Sequence, residues 1–204
     1  MTMEGYENNY KTLIHKLADC DFNEAAARLG LNQPINDSVT LSFLNRDYFI
    51  RKDGVFALDG EPSNPNCRSI LIHYITSKGD GEPENKFFLP HYFLPNNLEH
   101  GIFSGQSWLP SRIIREIGDD YEKIHKAMEI LGAKHEGEPR NGEHIWQYLI
   151  LPKIPIQIIY YEADDEFPCE IKIKLDGCAG RYIEFETIAF LCGCFVQAVL
   201  KACV

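Results

Sequence analysis

The sequence predicts an α+β fold, an antiparallel sheet packed by helices, and three observations point to it. Apolar residues at helical spacing open the chain as an αα-hairpin. A stretch with a period near two follows and carries the hairpin signal Asp53-Gly54. Near the end, Cys169, Ile171, Ile173 and Leu175 alternate with Glu170, Lys172, Lys174 and Asp176, the signature of a strand with one face in the core and one in water.

Each element has its own local reason. Tyr6, Tyr10, Leu13, Ile14 and Leu17 share one helical face, and a second short helix over 23–29 stops at Gly30. Strands are expected at about 39–44, 48–51 and 55–58, with turns at Asn45-Arg46 and Asp53-Gly54. Pro62 to Pro65 reads as a loop. Residues 68–76 (RSILIHYIT) are apolar all round, so a helix there belongs in the interior. Lys78 to Pro110 holds Phe87, Phe88, Tyr92, Phe93, Phe103 and Trp108 among prolines and glycines, an aromatic loop with one strand at about 86–89.

Pro110 suits the first turn of a helix whose inner face is Ile113, Ile114 and Ile117, and Gly118 ends it. Asp119 with Glu122 three residues on reads as the capping box of the next helix, lined by Tyr121, Ile124, Met128 and Leu131 up to Gly132. Lys134 to Glu143 is polar and is expected to be an exposed connection. Strands at about 144–151, 154–161 and 169–175 follow, with Asp176 among the water-facing positions. A final helix over 184–201 is apolar enough to lie in the core.

Length and composition narrow the function. The 204 residues suit one domain spanning 1–204, and 45% hydrophobic with 25% charged residues is ordinary globular usage. A formal charge of −10, with no basic stripe, argues against DNA or RNA as a partner. The run from Ile188 to Leu200 is shorter than the ~20 residues of a bilayer span, and the first residues resemble no export signal, so a cytoplasmic protein without a membrane segment is expected. Seven cysteines, an odd number in a chain this long, read as reduced thiols.

The chemistry-bearing motifs are few. Cys192 and Cys194, two apart on a helix, point to opposite sides, and Cys192 and Cys203 lie roughly 16 Å apart along it. Neither pair can share an ion, and without a C-x-x-C pair there is no self-contained zinc or iron–sulfur motif. His91 with His100, and His135 with His144, match no metal spacing. Ser107 sits in half of a nucleophile elbow, and no glycine-rich phosphate loop occurs. The strongest local oddity is Glu162, Asp164, Asp165 and Glu166, more carboxylates than a turn needs. Crowded carboxylates bind cations or hold protons. Pro168 fits a hairpin bend there, and Phe167 is expected to pack back on the sheet.

Asp165-Glu166-Phe167-Pro168, with Ile173-Lys174-Leu175-Asp176, Ile70-Leu71-Ile72-His73-Tyr74 and Glu129-Ile130-Leu131-Gly132, resembles the bacterial and archaeal family known as domain of unknown function 3786. The resemblance covers most of the chain. It implies no established activity, and it implies an accessory role in anaerobic corrinoid or iron–sulfur metabolism, where some relatives carry an attached iron–sulfur domain. This chain lacks that cysteine cluster and has Cys169 where a small residue is usual.

The expected function is therefore a small-ligand-binding or accessory protein, cofactor unassigned, with a small molecule or a protein as partner. Its site would be Asp164 to Glu166, edged by Phe167 and Trp108, with His73 as an inner wall and Asp165 and Glu166 as ligands to any cation. Two alternatives stand beside it. One is an enzyme using Asp165 or Glu166 as general base with His73, and the other is an interaction module docking through the aromatic loop.

Overall fold

In a computed structural model, which describes residues 3–94 and 108–203, the elements follow the expected order closely. Phe103, His100 and Ser107 lie outside the described residues, as do the side chains of Tyr6 and Trp108. Helix α1 (Met3–Ala18) turns into α2 (Phe22–Leu29). The Asp21 carboxylate accepts the amide N–H groups of Asn23 and Glu24 at 2.9 and 3.1 Å, satisfying two donors at the start of α2. Gly30, at φ 68°, closes it.

Strands β1 (Val39–Phe43), β2 (Arg46–Arg51) and β3 (Gly54–Ala57) form a three-stranded antiparallel sheet. Both turns sit one residue earlier than expected, at Leu44-Asn45 and Lys52-Asp53. The reason is register: Tyr48↔Ala57 and Ile50↔Val55 put all four side chains in the core, whereas a one-residue slip would turn them outward. Leu44 and Asn45 both take positive φ, 52° and 61°, the twist a tight hairpin needs.

Asn64 caps α3 (Pro65–Thr76), so Pro65 starts the helix instead of closing the loop. Ile70, Leu71, Ile72, Tyr74 and Ile75 are buried as their composition demands, between α1, α2 and the C-terminal helix. After β4 (Phe87–Phe88) a single 3-10 turn covers Pro90–Phe93.

Helices α4 (Trp108–Ile117) and α5 (Tyr121–Leu131) lead into the second sheet. The cap of α5 is Asp120, not Asp119: its carboxylate accepts the Lys123 N–H at 3.2 Å. The Asp119 carbonyl instead takes the Tyr160 hydroxyl at 3.0 Å. Strands β5 (Lys134–His135), β6 (Glu143–Leu151), β7 (Ile154–Tyr161) and β8 (Glu170–Asp176) join β4 in an antiparallel sheet of order β4-β8-β7-β6-β5. The connection expected to be exposed therefore begins as an edge strand, because β6 has an open side and Lys134↔Gln147 and His135↔Trp146 fill it. A two-residue strand carries no periodicity to read.

In β8, Ile171, Ile173 and Leu175 are buried as the alternation requires. Asp176 departs from it and is fully buried. The chain leaves the strand there, and the segment before β4 folds over it: the Asp176 carboxylate accepts the amide N–H groups of Glu84 and Cys178, each at 2.9 Å. Burial, the largest effect, pushes this carboxyl up, but amide donors from Glu84, Cys178 and Asn85 with the Cys178 thiol outweigh it and hold it below the usual range. After α6 (Ala179–Tyr182), α7 (Phe185–Ala202) packs against α3, α4 and α5. It is long and apolar enough to cross a membrane by length and composition alone, and half of it is buried in the fold. One continuous cluster of buried side chains runs from Tyr10 to Val199.

Candidate functional site

At the acidic bend every residue from Glu162 to Pro168 is exposed. The Asp164 carboxylate accepts the N–H groups of Glu166 and Phe167 at 2.8 and 2.7 Å, and the Asp164 N–H donates to the Phe167 carbonyl at 2.9 Å. This acid closes the turn. That closure projects Phe167 into solvent at 66% exposure, so it does not pack back on the sheet. Among the described residues, the carboxylates of Asp165 and Glu166 make no hydrogen bond or ion pair.

His73 belongs to α3 and is half-buried. Burial, then Lys16, lowers its pKa against the opposing pull of Glu184. No hydrogen bond or ion pair among the described residues joins it to the bend. Trp108 opens α4, and its side chain lies outside the described residues.

A different set of groups converges where α5 crosses the β5–β6 edge. The pairing His135↔Trp146 brings His135 beside His144, which lies two residues back on the same inner face of β6; their ring centres are 5.9 Å apart. From α5, Tyr121 and His125 are one turn apart and present stacked rings, with the hydroxyl 3.4 Å from His125 Nδ1. The Tyr121 ring lies over His144 at 4.1 Å, and the His125 ring is 5.8 Å from that of His135. Trp146 is fully buried beneath them. Ring packing of this density is itself favourable, at ~0.5–1.5 kcal/mol per well-oriented pair.

The polar part of this cluster is asymmetric. His144↔Tyr160 pairing places Glu162, just past the end of β7, beside the histidine, and His144 Nε2 is 2.7 Å from Glu162 Oε1. The imidazole side chain is 5% exposed and the carboxylate 50%, so the bond spans the boundary between core and water. A carboxylate accepts and does not donate, so His144 Nε2 carries the proton of this bond, and in the neutral ring Nδ1 is left with the lone pair. That Nδ1 is buried without a partner among the described residues, and so are His135 Nε2 and Trp146 Nε1. An unpaired buried polar group costs ~1–3 kcal/mol. Burial, reinforced by Glu122, Glu162 and Glu129, raises the Tyr121 hydroxyl above its ordinary pKa, and burial pushes Tyr160 up to about 12. Both phenols stay neutral donors. No group of three or more His, Cys, Asp or Glu among the described residues is spaced to hold a metal ion.

His135 and His144 stand out in the sequence as a pair without a recognisable spacing. Their meeting depends on β5, and the part played by Glu162 depends on the β6–β7 register. Tyr121 and His125, at helical i and i+4, were the one signal within reach. A family model described as Domain of unknown function (DUF3786) matches residues 21–198. No curated protein and no solved structure matches this chain.

Proposed function

The chain belongs to the family of domain of unknown function 3786, and from that premise we propose that it binds a small ligand at the histidine–aromatic cluster, anchored by the Glu162–His144 pair. The observation that carries this is the buried Nδ1 of His144, on a ring held in place by Glu162 and without a partner among the described residues. A ligand that donates to Nδ1 and accepts from the Trp146 indole N–H would satisfy two groups at once. The chemistry that fits is a small planar molecule carrying both a donor and an acceptor, such as an amide, urea or heteroaromatic carboxamide. Its route in is past the half-exposed rim of Tyr121, His125 and His135. Glu122, Glu162 and Glu129, the acids whose charges act on Tyr121, make that rim negative, which favours neutral or cationic ligands over anions. The setting we propose is the cytoplasm, in an accessory role to anaerobic corrinoid or iron–sulfur metabolism, as the family resemblance implies.

The 2.7 Å bond between His144 and Glu162 also favours a second reading, acid/base catalysis, because an imidazole lone pair oriented by a carboxylate is the arrangement of a general base. In that reading His144 is the base and Glu162 orients it, whereas the sequence expectation makes Asp165 or Glu166 the base and His73 its partner.

The test is a titration with acetamide, urea and nicotinamide as probes, followed by nuclear magnetic resonance of the histidine rings and the indole N–H groups. Saturable shifts at His135, His144 and Trp146, abolished by His144→Ala and unchanged by Asp165→Asn, support the reading. Shifts confined to 164–167, or binding that survives His144→Ala, contradict it.

A further inference from the structure

Cys67 and Cys194 are 127 residues apart in sequence, yet their sulfurs lie 3.5 Å apart. Among the described residues no other two cysteine sulfurs are in hydrogen-bond contact: the thiols of Cys20, Cys178 and Cys203 each donate to a backbone carbonyl. The two partners are unlike. Cys194 lies inside α7 and is buried at 7% exposure. Cys67 is in the first turn of α3, just after the Asn64 cap and Pro65, and is only half-buried. The start of a twelve-residue helix favours negative charge on a thiolate.

The surroundings divide the two sulfurs further. The hydrogen bond with Cys194 lowers the Cys67 pKa against the cost of burial, and Lys201 and Arg46 lower it further. The same bond, followed by burial, raises the Cys194 thiol. One member is thus the easier thiolate, and the other is a protected neighbour within reach of it.

We infer that Cys67 and Cys194 form a thiol–disulfide exchange site that reacts with low-molecular-weight disulfides, Cys67 attacking and Cys194 resolving. In the first step the Cys67 thiolate attacks one sulfur of a small disulfide. A mixed disulfide forms at Cys67 and one small thiolate leaves, taking up a proton. Cys194, losing its proton, then attacks the Cys67 sulfur. The intramolecular disulfide forms and the second small thiol leaves. Two protein thiols are oxidised, and one small disulfide is reduced to two thiols.

The experiment exposes the intact protein to oxidised glutathione, followed by alkylation and peptide mapping. The expected result is loss of two of its seven alkylatable thiols, recovered as a Cys67–Cys194 linked peptide and restored by reduced glutathione. Cys194→Ser should stop at a glutathione adduct on Cys67, and Cys67→Ser should form neither adduct nor link at Cys194. Circular dichroism of each variant establishes that it is folded before reaction. Seven thiols still alkylatable when the native protein is denatured after the exposure, or a link between any other two cysteines, overturns the inference.

Discussion

His144 is the residue on which the proposed site depends, because it combines a bonded nitrogen with one that has no partner among the described residues, in a buried ring. Groups kept for binding can cost stability. His144→Phe keeps the aromatic packing under Tyr121 and removes the orphaned nitrogen, while Glu162, half-exposed, returns to water. Chemical denaturation should therefore find the variant as stable as the parent, or more stable by ~1 kcal/mol, with probe binding lost. A loss of more than ~2 kcal/mol would make the ring a structural element. His73 yields a separate prediction. Its folded pKa lies below the ordinary 6.5, mainly through burial, so below pH 6.5 the unfolded chain takes up the proton more readily than the folded one. Stability from this group is present above that pH and falls as pH drops through the lowered value. His73→Gln should flatten that part of the pH–stability curve, and an unchanged slope would show that other groups set it.

At the scale of elements, local signals located helices well and sheet edges poorly. Asp21 and Gly30 bracket α2 because capping chemistry is written within a few residues, and the alternation in β8 survives up to Leu175. Asp176 breaks it for a tertiary reason, the amide donors of Glu84 and Cys178, and no local pattern contains that information. The same holds for β5, whose partner strand begins eight residues later. The cap of α5 offers a clean test between two adjacent acids. Asp120→Ala should lower stability by ~1 kcal/mol in thermal denaturation, and Asp119→Ala should leave it near the parent value. The reverse order would restore Asp119 as the cap.

Over the whole molecule, the sequence pattern led to an antiparallel α+β architecture, but it singled out other residues than the cluster proposed here. The acids at 164–166 stood out because they are contiguous, yet Asp164 is used in closing the bend and its neighbours face solvent. The histidine–aromatic cluster draws Tyr121, His135, His144 and Glu162 from one helix, two strands and a loop, so contiguity could not reveal it. Cys67 and Cys194 were hidden in the same way, on α3 and α7. Oxidation of that pair would tie two helices across 127 residues of sequence and should stabilise the fold by about 3–5 kcal/mol. Denaturation of the oxidised and reduced forms checks this, and equal midpoints would contradict it.

The most direct test of the central claim is the nitrogen-15 spectrum of the His144 ring in the protein without added ligand. A proton on Nε2 that responds to Glu162→Gln, together with an unprotonated Nδ1, is the predicted result. A proton on Nδ1 would remove the buried lone pair, and the proposed ligand anchor with it.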